Sequence, residues 1–171
     1  MTEQQNAPQN VTPPNELGLV IQRIYLKDSS FEAPNAPQVF LEEWKPQIDI
    51  EIQNRSQQIG ADTHEVVLRI IVTAKLNQKT AFLIDIQQAG IFAIHGATQE
   101  QLDPIVGSYC PSILFPYARE AISSLSMHGG FPPVQLAPVN FDAAYQQHKA
   151  QQAKQPESVA VDADADAETQ H

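Results

Sequence analysis

A-F-L-I-D-I-Q-Q-A-G-I-F-A-I, from Ala81 to Ile94, is the stretch on which the fold turns. A β-strand sends alternate side chains to opposite faces, so Phe82, Ile84, Ile86, Phe92 and Ile94 form one nearly continuous apolar face. The other parity carries Leu83, Asp85 and Gln87, which suits a face open to water or to a polar partner. A strand with one dry and one wet face belongs in an antiparallel sheet covered by helices on one side. Gln88 falls on the apolar parity. Its amide either reaches solvent near the strand end at Gly90 or faces another subunit.

Upstream, Gln47 to Gln53 reads Q-I-D-I-E-I-Q, with Ile48, Ile50 and Ile52 on one side and Asp49 and Glu51 on the other. His64 to Leu76 puts Val66, Leu68, Ile70 and Val72 inward and mostly polar residues outward. A short polar link, Asn77 to Lys79, leads back into the opening strand, so these three strands form a meander. A first strand, Leu17 to Lys27, ends in the polar D-S-S and alternates imperfectly. Between it and the second strand lies F-E-A-P-N-A-P-Q-V-F-L-E-E-W-K-P, Phe31 to Pro46. Its three prolines argue against a helix or a central strand. Phe31, Val39, Phe40, Leu41 and Trp44 make it too apolar for a solvated loop, which predicts a packed crossover.

Downstream of Gly96 the period becomes helical. Thr98 caps a short helix through Val106, with Gln101 at the capping-box position. Pro111 to Met127 carries an apolar stripe of Ile113, Leu114, Tyr117, Ala118, Ala121, Ile122 and Leu125, interrupted by Pro116 and ended by Gly129-Gly130. The helix therefore begins nearer Pro116 or is kinked there. After the Pro-rich connector Phe131 to Val139, Asn140 caps a last helix from Phe141 to about Gln152. The fold class is α+β: a four-stranded antiparallel sheet with helices on one face and a long Pro-rich crossover between strands one and two. Residues 1–15, rich in Gln, Asn, Pro and Thr, read as a disordered arm, 16–153 as one domain, and 154–171 as a disordered acidic tail containing D-A-D-A-D-A-E.

The 171 residues carry a net charge of −10, which argues against DNA or RNA as a ligand, since a phosphate backbone calls for clustered Lys and Arg. One cysteine, Cys110, leaves no intramolecular disulfide and fits a reducing compartment. The first residues lack a basic start followed by an apolar run, so no secretory leader is expected. No run of roughly 18 apolar residues is present for a membrane span. The histidines show no H-x-x-x-H spacing, and there is no phosphate loop or G-x-S-x-G elbow, so no metal or cofactor is expected. Cys110 with His128 as base would be a nucleophile pair, but a lone cysteine before a helix reads better as a small core hydrophobe. Asp49, Glu51, Glu65 and Asp85 sit where nothing would raise a carboxylate pKa, and read as a negative surface rather than a catalytic set.

Four motifs resemble one family in order: S-F-E-A-P-N-A-P (Ser30 to Pro37), Q-Q-A-G-I-F (Gln87 to Phe92), Y-C-P-S-I-L-F-P-Y-A-R-E (Tyr109 to Glu120) and L-A-P-V-N-F-D (Leu136 to Asp142). Together they are similar to SecB, the protein-export chaperone of Gram-negative bacteria, over about Ile21 to Tyr145. The resemblance implies a cytoplasmic homotetramer, a dimer of dimers that is not an enzyme. Without nucleotide it would hold precursor proteins unfolded and pass them to the translocation motor SecA. It places SecA contacts on Asp28, Glu32, Leu83 and Asp85, the last a glutamate in much of the family. Tetramer packing falls on Ile84, Ile86 and Gln88, with Ile84 replacing a frequent cysteine, and this favours a subunit contact for the Gln88 amide. Client-binding positions resemble Ile48, Ile50 and Ile52, beside Phe31 and Trp44. Set against this, a small enzyme or a plain oligomerisation module would use the acidic face.

Overall fold

The structure is a computed structural model that describes residues 16–153. The expected arm and acidic tail lie outside these residues. The sheet has four antiparallel strands in the order β1-β4-β3-β2: β1 is Gly18–Glu32, β2 Gln47–Gln58, β3 Thr63–Leu76 and β4 Lys79–His95. The meander of β2, β3 and β4 is as the alternation predicts. The β3–β4 hairpin turns on Asn77 and Gln78, both at positive φ (49° and 66°), the twist that two-residue hairpins require. β1, which the sequence left without a neighbour, pairs along the outer edge of β4.

β1 runs through the D-S-S that was expected to end it. Register shifts between Ile21 and Arg23 and between Leu26 and Asp28 re-phase the strand twice. Leu19, Ile21, Ile24, Leu26, Ser29 and Phe31 therefore share the helix-side face, which accounts for the imperfect alternation. The crossover also departs from expectation. It contains one tight helical turn, Gln38–Leu41, entered from Pro37, because proline is tolerated where a helix starts. Val39 is buried, but Leu41 is 89% exposed, so only part of the segment packs. The Asn35 amide pins it to the Thr80 carbonyl at 2.9 Å.

The helices occupy one face. α1, Gln99–Pro104, has the complete Thr98–Gln101 capping box. A π-helical turn, Ile105–Tyr109, carries the chain without a break into α2, Cys110–His128. α2 thus starts well before Pro116, which lies on its exposed side. Leu114, Ala118 and Ile122 of α2 pack into one core with Val66, Leu68, Ile70 and Val72 of β3 and Phe82, Ile84, Ile86 and Phe92 of β4. Tyr117, counted in the apolar stripe, is exposed. The Gly129 N–H donates to the Leu125 carbonyl and Gly130 takes φ +83°, ending α2 as predicted. α3, Phe141–Ala153, is capped by the Asn140 side chain, which accepts from the Ala143 N–H at 2.9 Å. α3 sits where Gly107 admits the Tyr145 ring; a Cβ there would come within 2.6 Å of it.

Candidate functional site

Two surfaces of the sheet are left open, and they differ in chemistry. On the helix side, cross-strand register aligns Ile48 with Ala74 and Phe82, Ile50 with Val72 and Ile84, and Ile52 with Ile70 and Ile86. The β3 and β4 members of these rows are fully buried. Ile48, Ile50 and Ile52, on the edge strand, are 36%, 45% and 37% exposed. They form a strip of three branched apolar side chains, part-exposed along the sheet edge.

At the Ile48 end lies an aromatic cluster. Phe31 stacks on Phe82 at 5.8 Å between ring centroids, and Trp44 on Phe82 at 6.2 Å. Phe131 meets Phe40, Trp44 and Phe82 at 4.9, 5.2 and 4.9 Å. Phe31 and Trp44 are half-buried within this cluster, while Ile48, Ile50 and Ile52 are the accessible residues of the strip. Sequence reasoning missed Phe40, Phe82 and Phe131 as members. The available signal was a lone phenylalanine between Gly129-Gly130 and Pro132-Pro133, too apolar for a connector.

The opposite face carries charge. Its rows run Glu32–Leu83–Thr73–Asp49, Ser30–Asp85–Ile71–Glu51, Asp28–Gln87–Arg69–Gln53 and Arg23–Ile91–Glu65–Gln57. Asp28, Glu32, Leu83 and Asp85 come together at one end. Of the four carboxylates read as a negative surface, Glu65 lies apart from Asp49, Glu51 and Asp85, because the face is bipolar. One half holds Asp28, Glu32, Asp49, Glu51 and Asp85 with the cations Arg69 and Lys75. The other holds Arg23, Lys27 and Arg55 with Glu65.

Within the face the charges are partly spent on one another. Lys27 Nζ meets Glu65 at 2.7 Å, Lys75 meets Asp49 at 3.2 Å, and Arg69 grips Asp85 with both arms at 2.9 and 2.5 Å. Asp28, Glu32 and Glu51 have no ion-pair partner among the described residues. The Tyr25 hydroxyl donates to Glu65, and with burial and the nearby negative charge this pushes the phenol up to about 12. Lys27, then Tyr25, hold Glu65 below the ordinary carboxylate value, as the Arg69 guanidinium does for Asp85.

Both folded-state carboxylate values are depressed, so the two contributions to stability are complete above the unfolded value of about 4 and are lost as pH falls through the folded ones. In a carboxyl-carbon NMR titration Glu65 and Asp85 should show midpoints below those of a free glutamate and a free aspartate. A midpoint at or above the free-carboxylate value for either would contradict its ion pair.

Ile84, Ile86 and Gln88 lie on neither open face. Ile84 and Ile86 are fully buried under α2, and Gln88 is 4% exposed with its amide donating to the Tyr25 carbonyl at 2.9 Å. Within one chain these side chains are covered and the Gln88 amide is satisfied.

Cys110 opens α2 and His128 closes it, about 27 Å apart at the helical rise of 1.5 Å per residue, so they do not form a pair. Burial pushes the Cys110 thiol up to about 12, away from a nucleophilic thiolate. Among the described residues no cluster of His, Cys, Asp and Glu is arranged to hold a metal, and no helix is long and apolar enough to cross a membrane. An open depression near the start of α3 is lined by Pro104, Ile105, Tyr109, Val139 and Phe141, with Asp142 its one charged lining residue.

An open sheet with an apolar strip on one face and a bipolar charged field on the other defines a protein of binding surfaces. The family model described as SecB, preprotein translocase subunit SecB, matches residues 12–152, and the chain belongs to the SecB family of chaperones. Among solved structures, the Mycobacterium tuberculosis Rv1957 SecB-like chaperone, in complex with a ChAD peptide from the Rv1956 HigA1 antitoxin, is 20% identical with a TM-score of 0.61. The match covers 71% of this chain and 90% of that one, and establishes a shared fold. A Streptococcus agalactiae protein of unknown function matches at 11% identity and a TM-score of 0.37, over 72% of this chain and 99% of that one.

Proposed function

We propose that this chain is an ATP-independent holdase that keeps precursor proteins unfolded and delivers them to SecA. It works in the cytoplasm as a homotetramer, a dimer of dimers, with no cofactor. The observation that carries the reading is the strip of Ile48, Ile50 and Ile52, left about two-fifths exposed on the face where their β3 and β4 neighbours are fully buried. A folded protein that leaves such side chains uncovered has a use for them. The peptide bound by the Rv1957 chaperone supports polypeptide as the occupant.

Each client Leu or Phe buried on the strip contributes roughly 1.5 to 3 kcal/mol, so single contacts are weak and several along an extended chain give reversible capture. Asp28, Glu32, Leu83 and Asp85 form the SecA-facing end of the other face, an anionic field for a basic partner. Ile84, Ile86 and Gln88 support assembly by seating α2. The purified protein should suppress aggregation of a denatured precursor at stoichiometric amounts without nucleotide. If light scattering rises as fast with the protein as without it, the holdase reading fails.

A further inference from the structure

Arg69 lies in the innermost row of the acidic half of the open face. Register places it diagonally from Asp85 on β4 and from Glu51 on β2, with Asp28 one strand beyond Gln87. It is thus one cation among three carboxylates. It spends both arms on Asp85, at 2.9 and 2.5 Å, in the fork geometry that makes arginine pairs directional. The side chains remain 40% and 22% exposed, and no helix covers this face. A screened surface pair of this kind adds little to folding. It does decide what a basic partner meets on arrival: Asp28 and Glu51 free of ion pairs, and Asp85 already occupied.

We infer that Arg69 is a built-in competitor for the docking partner: it holds Asp85 in an internal ion pair, and a Lys- or Arg-bearing partner surface engages Asp85 by displacing it. This rests on the reading of the face as the SecA-facing one. The consequence is an affinity held below what the carboxylates could deliver, which keeps the contact reversible. Arg69 is a positioning residue, acting on the partner through Asp85.

The test is calorimetric titration of purified SecA into the native protein, Arg69→Met, Arg69→Lys, and Arg69→Met combined with Asp85→Asn. At low ionic strength Arg69→Met should bind roughly three- to tenfold tighter than native, and the gain should shrink as salt shortens the Debye length below about 10 Å. Lysine pairs through a single point rather than a fork, so Arg69→Lys should fall between native and Met. Without the Asp85 charge the double variant should show no gain over native. Suppression of precursor aggregation by Arg69→Met should match native, since the strip lies on the other face.

Native protein that binds SecA, with Arg69→Met binding equally or more weakly, would overturn the inference and leave the docking reading standing. Native protein that fails to bind SecA would overturn both. Should Arg69→Met not fold, Arg69→Lys decides: tighter binding than native supports displacement, and equal or weaker binding rejects it.

Discussion

Ile86→Lys should cost the chain its folded state. Ile86 is fully buried in the centre of β4, paired with Ser29 of β1 and Ile70 of β3 and in one core with Leu114, Ala118 and Ile122 of α2. A lysine there removes a methyl-rich contact worth about 2–5 kcal/mol when truncated, and adds an ammonium with no buried acceptor, a further penalty of several kcal/mol. Native proteins hold only about 5–15 kcal/mol in reserve. Circular dichroism on heating should show a transition lowered by tens of degrees or absent. Sizing should show aggregate rather than a smaller assembly of folded subunits. A well-folded dimer with a native transition would mean that Ile86 faces a neighbour after all.

Ile50→Arg should have the opposite profile: function lost and the fold kept. Ile50 pairs with Val72 on an edge strand and is already 45% exposed, so an arginine can lie along the strip on its aliphatic stem with the guanidinium in water. The melting temperature should stay within a few degrees of native, because the exposed half of the side chain contributes little to the core. Client capture should fall about tenfold or more, since one apolar contact of roughly 1.5 to 3 kcal/mol is exchanged for a charge that clients must desolvate. SecA binding, on the opposite face, should be unchanged. A large fall in melting temperature with joint loss of both activities would make Ile50 ordinary core and reject the strip as the client surface.

Alternation revealed which side each strand faces but not what covers it. Ile48, Ile50 and Ile52 read as one side of a strictly alternating strand, and they do share the core face. Their exposure follows from β2 lying at the sheet edge, beyond the reach of α2, which periodicity cannot convey. The bond made by Gln88 was not legible for a related reason. Its acceptor is the Tyr25 carbonyl, on a strand whose pairing with β4 rests on two register shifts absent from any local pattern.

The Arg69–Asp85 pair was hidden by the same kind of irregularity. Counting outward from the hairpin, where Leu76 faces Lys79, puts Ile71 opposite Ile84. The shift between Ala74 and Lys75 moves Ile71 opposite Asp85 and so brings Arg69 within reach of it. Local signals such as the Thr98–Gln101 box and the Asn140 cap were legible because they are completed within four residues. Residues brought together across a bulge were not.

The strand order also governs what happens while the chain is being made. Among the described residues β1 pairs only with β4, so Leu26 and its partner Gln88 lie roughly sixty residues apart, a loop whose closure costs conformational entropy before any ladder repays it. Synthesis runs from the N-terminus. The first strand, with Leu19, Val20, Ile21, Ile24 and Leu26 along it, must therefore wait unpaired until the ribosome has delivered the fourth. For that interval the nascent chain is itself an uncovered apolar polypeptide of the kind proposed as the occupant of the Ile48, Ile50 and Ile52 strip.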